Sequence, residues 1–189
     1  MKCLFATAIV FASLLSVSVA ITQAEEDQKP IGVSIADGKI KLQAPGSWEK
    51  KQPRTRIVEV EFAIPKVEGD PADGRLTIMQ AGGSVEDNIS RWIGQFAQPD
   101  GKSTSDRTVQ SEEKVDGQTV HMVDISGTFS DRRGPFAPAV QREDYRMLGA
   151  IVVTKDHGQQ FIKLYGPRKT IAANEEAFKG FVKSLKVKE

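Results

Sequence analysis

The chain has 189 residues, of which 39% are hydrophobic and 27% are charged. This length suits one domain, and the composition excludes a disordered chain or a protein with several membrane spans. Lysine and arginine total 26 against 25 aspartates and glutamates, so the formal net charge is +1, with basic and acidic residues interleaved. Such a balance argues against nucleic-acid binding, which needs a concentrated basic surface.

Residues 1–24 have the pattern of a secretory signal peptide. Lys2 supplies a positive charge, residues 4–19 are uncharged and mostly apolar, and small residues ending at Ala20 and at Ala24 offer two cleavage sites. A retained membrane anchor is the alternative, but the apolar run is shorter than the roughly 20 residues that span a bilayer. We therefore expect a secreted or periplasmic protein that is free of the membrane after cleavage.

Cleavage also determines the cysteine content and charge of the mature chain. Cys3 is the only cysteine and would leave with the signal peptide, which excludes disulfides, thiolate metal sites and a cysteine nucleophile. Loss of Lys2 lowers the basic residues from 26 to 25, equal to the 25 acidic residues, so the net charge becomes zero. We expect residues 25–37 to be a loose N-terminus and residues 38–189 to form a single α+β domain.

The first half of the mature chain alternates strand patterns with turns. Runs of alternating or β-branched residues predict strands at 31–35, 39–44, 57–64 and 75–81, the first of them a short edge strand. Ser84 and Asp87 then fit an S-x-x-D cap. The cap precedes apolar residues at helical spacing, namely Val85, Ile89, Trp92, Ile93 and Phe96.

The second half begins with two predicted strands, 107–115 and 118–129, joined by an Asp-Gly turn. A long connection with two prolines covers 130–144. A hairpin of 147–154 and 159–165 follows, and an amphipathic helix over 170–185 closes the chain. These elements predict an α+β fold with a mainly antiparallel sheet of about six strands and helices packed on it.

The order of these pieces resembles the PsbP-like group, which includes small secreted bacterial proteins. The matching residues are Pro45, Gly46 and Trp48, then Gly166-Pro167, then the end of the last helix at 178–185. The resemblance implies a PsbP-like sandwich. It also implies a binding or assembly role, because members of the group mostly act as binding or assembly factors.

The sequence has no residue grouping typical of catalysis, metal binding or a cofactor, and we expect none of these. The histidines, His121 and His157, lack H-E-x-x-H or H-x-H spacing, and no G-x-S-x-G is present. His121, Asp124 and Ser126 are the nearest set of triad residues. On a regular strand, however, His121 faces away from the other two because side chains alternate.

The candidate ligand-binding residues are Arg132, Arg133, Arg142 and Tyr145. The arginines lie in the 130–144 connection, and their planar guanidinium groups suit a carboxylate or phosphate on a small anionic ligand or a protein partner. The alternative is that these arginines pair with neighbouring acidic residues or face solvent.

Two functional hypotheses follow. The first is a non-enzymatic binding or assembly protein of the cell envelope. The second is a hydrolase whose site lies under the 130–145 loop and includes His121. The hydrolase requires His121 to lie beside a carboxylate and a cleft under that loop.

Overall fold

We analysed a computed structural model that describes residues 29–132 and 138–188. The predicted signal peptide and Arg133 therefore lie outside the described residues. The helices are α1 (Val85–Ile93), α2 (Arg168–Ala173) and α3 (Glu175–Lys183), with a 3-10 turn at Ser105–Arg107. The strands are β1 (Ile31–Ile35), β2 (Ile40–Ala44), β3 (Glu49–Lys51), β4 (Val60–Ile64), β5 (Gly74–Ala81), β6 (Phe96–Ala97), β7 (Val109–Val115), β8 (Gln118–Asp131), β9 (Val140–Val153), β10 (Gln159–Pro167) and β11 (Lys186–Val187).

The strands form two antiparallel sheets, which confirms the expected α+β class. The large sheet has the order β3-β4-β5-β10-β9-β8-β6, with β7 also paired to β8, and the small sheet has the order β1-β2-β11. The large sheet alone has eight strands, more than the six or so expected. Three strands were not predicted, namely β3 and β6 of the large sheet and β11 of the small sheet, because with two or three residues they are too short to show an alternating pattern.

The first face of the large sheet packs on the main hydrophobic core. Alternate residues of its strands, including Phe62, Leu76, Leu148 and Ile162, lie against the small sheet, α2 and α3. Apolar side chains of those covering elements fill the other side of this core, namely Val33, Ile35, Ile40, Leu42, Ile171, Phe178, Phe181 and Val182. This face is therefore covered by an α and β layer, and a sandwich results.

The second face of the large sheet carries a smaller core under α1. Val123, Met147 and Phe161 lie here against Trp92 of α1. A Cβ atom at Gly149 would lie 2.5 Å from Trp92 Cζ3, so only glycine allows the indole to rest directly on the sheet. The predicted cap of this helix is confirmed, because Ser84 Oγ accepts a hydrogen bond from the Asp87 amide at 3.0 Å.

The connection between β8 and β9 is much shorter than the sequence predicts. The two strands extend to Asp131 and from Val140, so only residues 132–139 lie between them. A β-bulge interrupts the pairing, since Gly127 pairs with Tyr145 but Phe129 pairs with Arg142. The bulge places two residues of β9 opposite one residue of β8. The first residues of β9 therefore form a strand although their sequence is polar and lacks regular alternation, and pattern analysis assigned them to the connection.

The closing helix is not continuous. Asn174 has φ −105° and ψ 9° and separates α2 from α3. Its side-chain Oδ1 accepts a hydrogen bond from Trp48 Nε1 at 3.0 Å, and its side-chain Nδ2 donates to the Thr170 carbonyl at 2.9 Å. The predicted single helix over 170–185 is wrong at this residue, because a contact distant in sequence determines the local backbone.

The predicted hairpin of β9 and β10 is confirmed, with Gly158 at φ +68° in its turn. No helix in the described part of the chain has the length and apolar character needed to cross a bilayer.

Candidate functional site

A groove of about 820 Å³ opens on the second face of the large sheet, next to the end of α1. Its lining combines cationic, acidic and aromatic side chains. The cationic residues are Arg54, Arg75, Arg132, Arg142 and Lys163, the acidic residues are Glu61, Asp73 and Asp131, and the rings are Phe129, Tyr145 and Tyr165.

Strand register brings the floor of this groove together. Glu61, Thr77 and Lys163 are consecutive partners across β4, β5 and β10, and Arg75 and Tyr165 are partners in the next row. Residues two apart on a strand share a face, so these side chains lie on the same side as Phe161 and the α1 core. Because α1 covers only part of this face, a polar patch is left open beside the helix.

Arg75 holds the floor in place through ion pairing. It donates to both carboxylate oxygens of Glu61, at 2.9 and 2.8 Å, and to the Tyr165 hydroxyl at 2.7 Å. The hydrogen bond to Glu61 raises the pKa of Arg75, and the same bond lowers the pKa of Glu61. Arg75 is thus neutralised by its own neighbour and is a structural residue of the floor.

Lys163 differs from Arg75 because its charge has no such partner. Its Nζ donates to Gln95 Oε1 at 3.0 Å and lies 5.6 Å from the ring centre of Trp92 and 5.5 Å from that of Tyr165. Lys163 forms no salt bridge with a carboxylate of residues 29–132 or 138–188. Burial, and secondarily the charge of Arg75, lower its pKa to about 8.

Three of the four residues selected from the sequence line this groove. Arg132, Arg142 and Tyr145 are at its rim, while Arg133 lies outside the described residues. Arg142 Nη2 is 3.5 Å from Asp131 Oδ2, a long contact between partly exposed groups, so the alternative of local pairing is realised only weakly. The Tyr145 ring is parallel to that of Phe129 within 7°, at 6.1 Å between centres.

Sequence analysis missed the residues of the groove floor. Lys163 and Tyr165 occur in a strand with alternating character, and Arg75 is the second residue of another. A charged residue in the middle of an internal strand is a signal that could have selected Lys163, since such residues are seldom buried without a reason. Arg75 and Gln95 became recognisable only from the strand order and the path of α1.

His121 does not lie at the groove. It is on β8, and its Nδ1 is 3.6 Å from Glu112 Oε2 of the neighbouring strand β7. On β8 the lining of the groove starts at Phe129, eight residues further along, and His121 is not among the lining residues. Asp124 is held by Arg146 at 2.6 Å. The described residues therefore do not bring together the groups expected for the hydrolase.

The groove can hold an anion but has no grouping for metal binding among the residues that the structure describes, where no three histidine, aspartate or glutamate side chains converge. Its cations would bind the charge, and its rings would contact an apolar portion of a ligand.

The fold of this chain is similar to that of known proteins, whereas its sequence is not. No protein-family model matches the sequence. No curated protein matches it either. Solved structures do match, and they define the fold as PsbP-like. The cyanobacterial PsbP protein CyanoP of Synechocystis sp. PCC 6803 has a TM-score of 0.51 at 12% identity over 85% of this chain and 93% of its own.

LpqN of Mycobacterium tuberculosis, which is involved in cell envelope biogenesis, has the same TM-score of 0.51 at 10% identity, over 85% of this chain and 91% of its own. The Ran-binding protein Mog1p of Saccharomyces cerevisiae has a TM-score of 0.45 at 10% identity, over 85% of this chain and 96% of its own. The resemblance to the PsbP-like group inferred from sequence is thus confirmed as a similarity of fold.

Proposed function

We propose that this chain is a secreted or periplasmic, non-enzymatic binding or assembly protein of the cell envelope. Its ligand site is the groove, where an anionic small molecule or the acidic surface of a protein partner binds. The observation that carries this proposal is the combination, in one open groove, of cationic side chains with aromatic rings. Such a combination offers both charge and contact area, and it is arranged on a rigid sheet.

The rim of the groove supplies the part of the site that a partner meets first. Arg132 directly follows β8, Arg142 lies on β9, and Arg54 lies on the segment before β4. Ile57, in that same segment, is 67% exposed although it is apolar. Arginine and exposed apolar residues are typical contributors to protein interfaces, so the rim suits a partner as well as a small ligand.

The assignment to the cell envelope rests on two further observations. The N-terminal sequence has the pattern of a secretory signal peptide. The fold is shared with LpqN, a protein involved in cell envelope biogenesis. Fold similarity at 10% identity supports the proposed class of protein. It does not identify the ligand, which is inferred from the groove alone.

A pull-down from the native extracytoplasmic fraction tests this function. The bait is the mature protein, compared with a variant carrying Arg132→Ala, Arg133→Ala and Arg142→Ala. The matched control removes three exposed cations outside the groove lining through Lys41→Ala, Arg91→Ala and Lys155→Ala. Both variants lose the same net charge, so a general electrostatic effect changes both equally.

We expect a specific partner or bound small molecule to be recovered with the mature protein and with the control variant, and to be lost with the groove variant. Circular dichroism and thermal unfolding establish that both variants are folded. Equal recovery by all three proteins would contradict the proposed site, because the arginines would then be structural or simply solvated.

A further inference from the structure

The charge at the floor of the groove indicates what kind of anion it takes. Arg75 is already neutralised by Glu61, and Arg142 has Asp131 near it. Lys163 is the cation of the floor that lacks a carboxylate partner among the described residues, and its ammonium group is partly removed from water. A bound anion would supply the missing counter-charge.

The acidic residues of the lining limit the charge that a ligand can carry. Glu61, Asp73 and Asp131 share the groove with the cations. The five cations of the whole lining exceed its three carboxylates by two, but at the floor Arg75 is paired with Glu61, and Lys163 is the floor cation without a carboxylate partner among the described residues. A single carboxylate therefore matches the charge at the floor, and the remaining positive charge belongs to the rim.

The surroundings of Lys163 favour a flat apolar body attached to that anion. Its Nζ lies about equally far from the rings of Trp92 and Tyr165, at 5.6 and 5.5 Å. Tyr165 and Tyr145 both contact Phe129 and line the groove, at ring-centre distances of 5.3 and 6.1 Å. Rings in this arrangement offer faces and edges to a planar ligand.

We propose that the groove binds a monoanionic aromatic acid, with its carboxylate on Lys163 Nζ and its ring system against Tyr165 and Tyr145. This inference rests on the proposed binding function and specifies the ligand class of the same site. A groove of about 820 Å³ has room for a ligand of one to three rings. Lys163 is the recognition residue, and Gln95 is a positioning residue that holds its ammonium group through the 3.0 Å hydrogen bond.

Isothermal titration calorimetry with the mature protein tests the proposal. The probes are naphthalene-2-carboxylate, its neutral carboxamide, the saturated decalin-2-carboxylate and inorganic phosphate. The carboxamide lacks the charge, the saturated acid lacks the flat ring, and phosphate lacks the apolar body. We expect naphthalene-2-carboxylate to bind at least about tenfold more tightly than each of the others, the effect of one charge-assisted hydrogen bond or one stacked ring.

Substitution of Lys163 should remove the preference for the acid over its carboxamide. Lys163→Gln keeps a polar side chain without the charge, and Lys163→Arg keeps the charge and should preserve part of the preference. Lys155→Gln, in the exposed turn after β9, is the matched control and should bind like the unaltered protein. A readout on the unaltered protein avoids any folding defect: naphthalene-2-carboxylate should protect Lys163, but not Lys155, from acetylation measured by mass spectrometry.

Phosphate binding as tight as that of the aromatic acid, the same acid preference in Lys163→Gln, or no saturable binding of any probe would each overturn this inference. The proposed function fails separately, through equal recovery of partners by the groove variant and its control. The two proposals can also fail independently. If the arginine variant loses the partner and substitution of Lys163 has no effect, the binding function is supported and the aromatic acid is excluded as its ligand.

Discussion

The charged side chain of Lys163 lowers the stability of the fold. Its ammonium group is buried against rings and one amide, with a neighbouring arginine, and these surroundings lower its pKa to about 8. Groups with such shifted pKa values are concentrated at functional sites, because a charge that only contributes to folding is normally paired. The cost is consistent with retention of this lysine for binding.

The free energy of unfolding should therefore depend on pH through Lys163. The pKa of Lys163 is lower in the folded chain than its ordinary value of 10.5 in the unfolded chain. Between those values the unfolded chain binds more protons, so stability rises as the pH rises from about 8. At neutral pH the folded chain bears the cost of the charge, and Lys163→Met should increase stability by about 1–3 kcal/mol.

Urea unfolding at about pH 7 and about pH 9.5 measures this effect, since the difference between the two proteins should shrink as Lys163 loses its proton. Lys155→Met, which removes an exposed charge in a turn, is the control and should change stability little at either pH. A destabilised Lys163→Met protein at neutral pH would show that the lysine is favourable to the fold.

Gly149 is a second residue whose substitution should change the stability of the fold. A methyl group there would lie 2.5 Å from the Trp92 ring. Gly149→Ala should therefore displace α1 and cost about 1–3 kcal/mol of unfolding free energy, as overpacking does. Gly32→Ala, also on a strand, has no atom within 4 Å of the new group and is the control.

Denaturant unfolding and the fluorescence of Trp92 report the change in Gly149→Ala. Because Trp92 also contacts Lys163, the same substitution should weaken ligand binding in the groove. Normal stability of the Gly149→Ala protein would mean that α1 can shift at little cost.

At the scale of elements, Asn174 joins the closing helices to the strand layer. The indole of Trp48 is 2% exposed, and its Nε1 donates to Asn174 Oδ1. Asn174→Ala would leave this donor unsatisfied in the core, which costs about 1–3 kcal/mol. We expect the loss to be smaller when Trp48 is already phenylalanine, because the donor is then absent.

A double-mutant cycle of Asn174→Ala and Trp48→Phe, measured by chemical unfolding, isolates this interaction. The coupling energy should be about 0.5–3 kcal/mol. Strictly additive effects would show that the hydrogen bond makes no net contribution and that the helix breaks at Asn174 for another reason.

Some secondary-structure elements could be predicted from the sequence and others could not. β2, in which every second residue is buried, and the capped helix α1 followed from local pattern, because their burial is one-sided. β5 and β10 are partly buried on both faces and followed from their apolar content. The short strands, the bulge near Gly127 and the break at Asn174 depend on distant partners and could not be read locally. The same distinction applies to the site: Arg132 and Arg142 lie in one segment of the sequence, whereas Lys163, Arg75 and Gln95 meet only through strand order and the path of α1.

At the scale of the molecule, the groove exists because the two faces of the large sheet are covered unequally. The first face packs on the small sheet and the two closing helices, while the second has one helix of nine residues. A sheet of eight strands is wider than one such helix can cover, since strands are about 4.8 Å apart and a helix is about 10 Å across. The uncovered strip is where the charged and aromatic residues of β4, β5 and β10 are found.

The N-terminal segment should be absent from the protein that carries out this function. Cleavage after Ala20 or Ala24 should release the chain from the membrane. Intact mass spectrometry of the chain recovered from the envelope fraction should give a mass that starts at Ile21 or at Glu25.

In a signal peptide the apolar run is the part that the export machinery recognises, so its disruption tests the predicted export. Leu14→Asp with Leu15→Asp places two charges in the middle of that run, and the protein should then remain in the cytoplasm with Lys2 and Cys3 still present. A wild-type chain that keeps its first residues and sediments with membranes would instead support the retained anchor. The groove would then act at a membrane surface, and its ligand would be sought among molecules held there.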